Sequence, residues 1–194
     1  MDIVKDFHSK PHNERRAIIM SGIFFILCIG LGVFFHFAFE LFGEPKLLAP
    51  FLPVNESVFE HLKLIYVPYI LILMPIEYYL YGRFTKKFVT GKLIGVLIAM
   101  SFVVMEFYTI QGAFGEPNAF VNITIFCIAT FLAYLVPLWL SLRADDDSSH
   151  TAKLLSLFAL AVMFIFFVAF TFYPPKLPLF LDPRGAGYGY YMFE

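Results

Sequence analysis

Four ionisable side chains crowd the nine-residue stretch Asn55-Glu56-Ser57-Val58-Phe59-Glu60-His61-Leu62-Lys63. Two carboxylates, an imidazole and an ammonium held this close could grip a small polar ligand or a divalent cation. Upstream, His36 and Glu40 have the i, i+4 spacing that brings two side chains to one side of a helix. His36, Glu40, Glu60 and His61 are therefore the candidate ligands of a divalent metal such as zinc. Glu56, Glu60, His61 and Lys63, joined by Glu106, Gln111 and Asp182, are the candidate contacts of a polar ligand.

Helix geometry sorts these residues. At about 100° per residue, Glu56, Glu60 and Lys63 share one stripe and His61 falls on an adjoining face. Glu60 and His61 then meet one small target only if another helix packs across that edge. A structural role competes: Ser57-x-x-Glu60 fits a capping box, and Glu60 with Lys63 fits an i, i+3 ion pair. Neither explains His61.

The elements that must carry these residues are apolar. Of 194 residues, 60% are hydrophobic and 15% charged, against about 25% charged in a soluble domain. Twenty-six phenylalanines exceed what one soluble core can hold, and the mean hydropathy is +0.76. The net charge of −1 gives no basis for a nucleic-acid partner; the bilayer is the expected partner, with an oligomer left open. Cys28 and Cys127 lie inside apolar runs and read as unpaired buried thiols.

Five runs are long enough to cross a bilayer: 17–39, 62–81, 93–114, 119–142 and 154–172. They are continuous rather than alternating, which favours helices over a barrel. The expected fold is an all-α five-helix transmembrane bundle, a single integral membrane domain over 1–194, with 173–194 as an extended outer tail. Ten of the fourteen Lys and Arg fall in the N-terminal segment and in the links after the second and fourth runs. The positive-inside rule then puts the N-terminus in the cytoplasm of a plasma-membrane protein and the C-terminus outside.

Ionisable residues at membrane depth are costly and mark function by default. Glu106, within VVMEFYTI, must be protonated, paired or facing a cavity. Glu116, Asn118 and Asn122 mark the turn into the fourth span. Glu77, beside Tyr78, Tyr79, Tyr81 and Arg83, reads as snorkelling to the inner interface. Pro68, Pro75 and Pro137 should bend their helices and free carbonyls.

The stretch Asn55–Lys63 resembles the signature of an uncharacterised family of small bacterial membrane proteins, a domain of unknown function. The likeness extends to Tyr108-Thr109 and to the tail pattern PP-x-x-P-L-F-x-D-P at Pro174–Pro183, with Phe59 where the family would carry Trp. It implies no activity or cofactor; it implies that the motif and the tail share one design.

The leading expectation is an outward-facing acidic and histidine pocket for a small polar ligand or divalent cation, in a binding, sensing or transport component. The rival is an intramembrane metal-dependent hydrolase of a lipid or lipid-linked substrate, with Glu60 as general base. No HExxH helix supports it. A structural scaffold is the third.

Overall fold

The computed structural model describes residues 3–115, 117–185 and 187–190, with side chains from residue 14 onward. Glu116 and residues 191–194 of the tail lie outside the described residues, as do the side chains of Lys5 and Lys10.

Helices account for nearly all of the order. They are α1 (Ile3–Leu41), α2 (Val58–Tyr66), a π-helical segment (Val67–Leu73), α3 (Met74–Leu80), α4 (Phe88–Phe114), α5 (Ala119–Arg143) and α6 (His150–Phe172). Taking α2 through α3 as one continuous rod, five helices are long and apolar enough to cross a membrane. The chain thus has the form of a multi-pass helical membrane protein. Local chemistry sets the boundaries. Ser57, Asn118 and Ser149 cap α2, α5 and α6, each accepting the N–H three residues on. Gly115, at φ 88°, stops α4 in a conformation that favours glycine.

The second rod is the centre of the bundle. Its apolar window is 72% buried, against 22–39% for the other four. Apolar surface facing lipid costs nothing, so what distinguishes this rod is the protein packed around it. Pro68 is the second residue of the π-helix and Pro75 the second of α3, so the backbone widens over Val67–Leu73 instead of merely bending.

Close packing of α4 on α5 rests on small residues. A Cβ on Gly95 would stand 2.5 Å from the Ala133 carbonyl oxygen, and one on Gly91 would stand 2.9 Å from Pro137. Pro137 has no N–H, so the Ala133 carbonyl lacks its helical partner; Tyr69 supplies one by donating its hydroxyl proton. A proline in one span is thereby satisfied by a tyrosine in another.

Glu77 does not snorkel. It is fully buried, with Lys92 Nζ 2.6 Å from its Oε2 and with hydroxyl donation from Tyr81 and, at 2.9 Å, from Tyr134. The Lys92 ammonium lies off any hydrogen-bond axis and instead faces the rings of Tyr69 and Tyr134, at 4.0 and 4.3 Å. Lys92 looks like a link residue in sequence because α4 was expected to begin at 93; the helix begins at Phe88 and turns Lys92 inward.

Past α6 the tail folds back over one end of the bundle, called here the tail end. It forms a 3-10 turn (Pro178–Phe180) and a minimal antiparallel hairpin, β1 (Leu181–Asp182) with β2 (Gly187–Tyr188). Phe180 packs on Phe59 with ring centroids 4.5 Å apart. The Asn55 side chain donates to the Gly189 carbonyl, and Tyr190 N–H to that of Thr171.

Candidate functional site

All the residues singled out in Asn55–Lys63 sit at the tail end, but they divide into two groups, one fully buried and one half-buried. Helix α2 begins at Val58, so Glu56 precedes the helix and the 100° stripe does not reach it.

The inward group is Glu60, Lys63 and Thr171. Lys63 Nζ lies 2.5 Å from Glu60 Oε2 and 2.6 Å from Thr171 Oγ1, and it donates to the carbonyls of Ala49 and Leu52 at 2.9 and 3.3 Å. Glu60 Oε2 also accepts the Val54 N–H. Lys63 is fully buried and Glu60 is 1% exposed. With every donor engaged, this buried pair ties the α1–α2 connection to α2 and α6. The capping box is half formed: Ser57 Oγ accepts the Glu60 N–H, while the Ser57 N–H goes to Asn55 Oδ1.

The outward group is His36, Glu56 and His61. All three are half-buried, and one ligand atom from each lies within 4.8 Å of the others. The imidazole centroids of His36 and His61 are 5.2 Å apart. The Ser57 carbonyl can only accept, so His61 Nδ1, 2.9 Å away, carries the proton. Nε2 then points its lone pair at Glu56 Oε2, 3.5 Å off. Two electron pairs facing one space call for a cation or a further proton between them. A ring held at Nδ1 by a backbone carbonyl, with Nε2 free, is the usual posture of a metal-binding histidine. Zn–N bonds of about 2.0–2.1 Å need ligand atoms roughly 3–4 Å apart, so small side-chain rotations would suffice.

Arg184 adds a positive charge. Its guanidinium lies 3.4 Å from Glu56 Oε1, with its side chain 66% exposed. Asp182, buried in the tail, accepts the Arg184 N–H at 2.9 Å and so fixes the turn that presents the guanidinium. Beside these groups opens a cavity of about 210 Å³ between α2, α4 and α5. Glu56, His61, Arg184 and Asn122 are its polar lining, and Val103, Phe107 and Phe126 are among its apolar walls.

The remaining candidates lie outside the group of three. Glu40 is exposed on the last turn of α1. Glu106 is half-buried on α4 and makes no hydrogen bond or ion pair among the described residues. Gln111 lies further along α4, outside the cavity wall. Arg184 and the apolar wall were missed. In sequence Arg184 is one charge in a proline-rich tail, and the wall residues are ordinary span residues.

Fold and site together define a multi-pass helical membrane protein with a polar cluster and an adjoining cavity at one end. Within that class the chain belongs to a family of unknown function, DUF6512, which matches residues 7–190. No curated protein and no solved structure matches it.

Proposed function

We propose that the chain is a binding component of the plasma membrane, with the tail end outward, that holds a divalent cation such as zinc on His36, Glu56 and His61. The observation that carries this reading is the convergence of two imidazoles and a carboxylate within 4.8 Å, with His61 Nδ1 already committed to Ser57. Glu60, engaged by Lys63, is better suited to holding the fold than to binding the ion. Glu40, exposed one helical turn on from His36, lies outside that group of three ligand atoms.

Elemental mass spectrometry of detergent-purified protein tests it. The wild type should carry near-stoichiometric metal, and a His36→Ala, His61→Ala double variant that remains folded should carry none. Equal metal in both samples, or none in the wild type, would sink the proposal.

Hydrolysis has one observation in its favour. Three protein ligands leave zinc a fourth position, the pattern of catalytic rather than structural sites. The general base expected at Glu60 would then have to be another group, since that carboxylate is bound to Lys63 and the Val54 N–H.

A further inference from the structure

The cavity joins two chemistries along the bundle axis. Glu56, His61, Arg184 and Asn122 supply its polar lining, and Val103, Phe107, Ile125 and Phe126, further along α4 and α5, are apolar. Val103 lies about three turns before the end of α4 at Phe114, which at 1.5 Å per residue is about 16 Å. That is about half of a hydrocarbon core roughly 30 Å thick. The cavity therefore runs from the charged rim of the bundle to about mid-depth, the distribution of polarity in an amphiphile set upright in one leaflet.

The charge at the mouth selects the head group. A divalent ion on two neutral imidazoles and one carboxylate leaves an excess of positive charge. Arg184 adds more, and because it is largely exposed and only loosely held by Glu56, most of its donors are open to a ligand. A planar guanidinium fork beside a metal ion fits the oxygens of a phosphate.

We infer that this cavity receives a single-chain anionic amphiphile. Its phosphate-type head binds the cation on His36, Glu56 and His61 together with Arg184, and its chain lies against Val103, Phe107, Ile125 and Phe126. The inference rests on the proposed cation site for its head group and on the cavity alone for its chain. A membrane lipid and free phosphate share the head chemistry; only the lipid uses the apolar wall.

Titration calorimetry on zinc-loaded, full-length protein in a neutral sugar detergent separates them, with inorganic phosphate and butyl, hexyl and octyl phosphate as probes. Affinity should rise by about fourfold per added methylene until the cavity is filled, and then level off. Val103→Trp and Ile125→Trp each fill the wall from a different helix. Each should weaken octyl phosphate by about tenfold or more while leaving zinc content and inorganic phosphate binding unchanged. Arg184→Gln should weaken every phosphate by about tenfold.

Octyl phosphate binding no tighter than inorganic phosphate overturns the inference. So does unchanged octyl phosphate affinity in both tryptophan variants when their zinc content is intact. Should the wild type hold no zinc, the cation reading fails by itself. Octyl phosphate binding that the tryptophans weaken would then still uphold the cavity, and binding they leave unchanged would overturn it.

Discussion

The Tyr69 hydroxyl donates to the carbonyl of Ala133, the one carbonyl that Pro137 deprives of its helical donor. The contact joins the buried rod to α5 at the place where Gly95 lets α4 come closest.

Tyr69→Phe should therefore leave a buried carbonyl unmet and cost about 1–3 kcal/mol. In a Pro137→Ala background the restored N–H serves that carbonyl, and the same substitution should cost clearly less. Denaturant unfolding of the four-member cycle in micelles measures the difference. Additive effects would show that the two residues act independently.

Two glycine substitutions should have opposite signs. Gly95→Ala puts a methyl 2.5 Å from the Ala133 oxygen and should destabilise the protein by about 1–3 kcal/mol. Gly22→Ala meets nothing within 4 Å on α1 and should stabilise it by up to about 0.5–1 kcal/mol. Paired thermal melts check both.

Lys92 and Glu77 should tolerate joint loss better than single loss. Removing either charge alone strands its partner in the interior, at a cost of about 3–5 kcal/mol. Glu77→Gln with Lys92→Met strands nothing and should recover most of that. A double variant no more stable than the worse single one would contradict the pairing seen at 2.6 Å.

Phe180→Ala should loosen the tail without unfolding the spans. The ring it removes contacts both Phe59 and Phe170, and nearby Arg184 is a trypsin site. Limited proteolysis should cut there several-fold faster than in the wild type, with helical circular dichroism unchanged. An unaltered cleavage rate would mean that the backbone ties at Gly189 and Tyr190 suffice.

At the opposite end, Asp147 accepts from the N–H groups of Lys87 and Ser148 and pairs with Lys153. Partial burial pushes its carboxyl up, but these hydrogen bonds outweigh it and hold the group below its usual 3.8. A depressed folded-state pKa stabilises the fold above the unfolded value and loses that contribution as pH falls through the folded one. The melting-temperature gap between wild type and Asp147→Asn should thus persist at neutral pH and close as pH drops below about 3.8. A gap independent of pH would exclude the carboxylate as its source.

The spans were legible because lipid demands long apolar helices, and that demand is written in composition. Helix starts at Ser57 and Asn118 were equally visible as capping residues, whereas Ser149 caps α6, whose start at His150 lies four residues before the run read as the fifth span. What failed was facing. Helical projection presumes a helix, and Glu56 lies before one; Glu77 and Lys92 each look like interface residues until the other is known to be there. The outward cluster depends on His36 from another span and on Arg184 from a tail more than 120 residues away, and no local periodicity encodes such a meeting.

The π-helical segment that contains Pro68 and ends before Pro75 has a further meaning. A ladder of i→i+5 bonds takes in roughly one more residue per turn than an α-helix. Val67–Leu73 is thus a place where the rod holds surplus chain while its two ends keep their phase toward other spans: Lys63 toward Thr171 of α6, Glu77 toward Lys92 of α4. Deleting one residue there should let the coil tighten and keep both Lys63 and Glu77 facing their partners. The same deletion in the middle of α4 would rotate everything beyond it by about 100°. This stretch is the rod's slack, where a change of length would be absorbed before it reached Glu77 and its contact with Lys92.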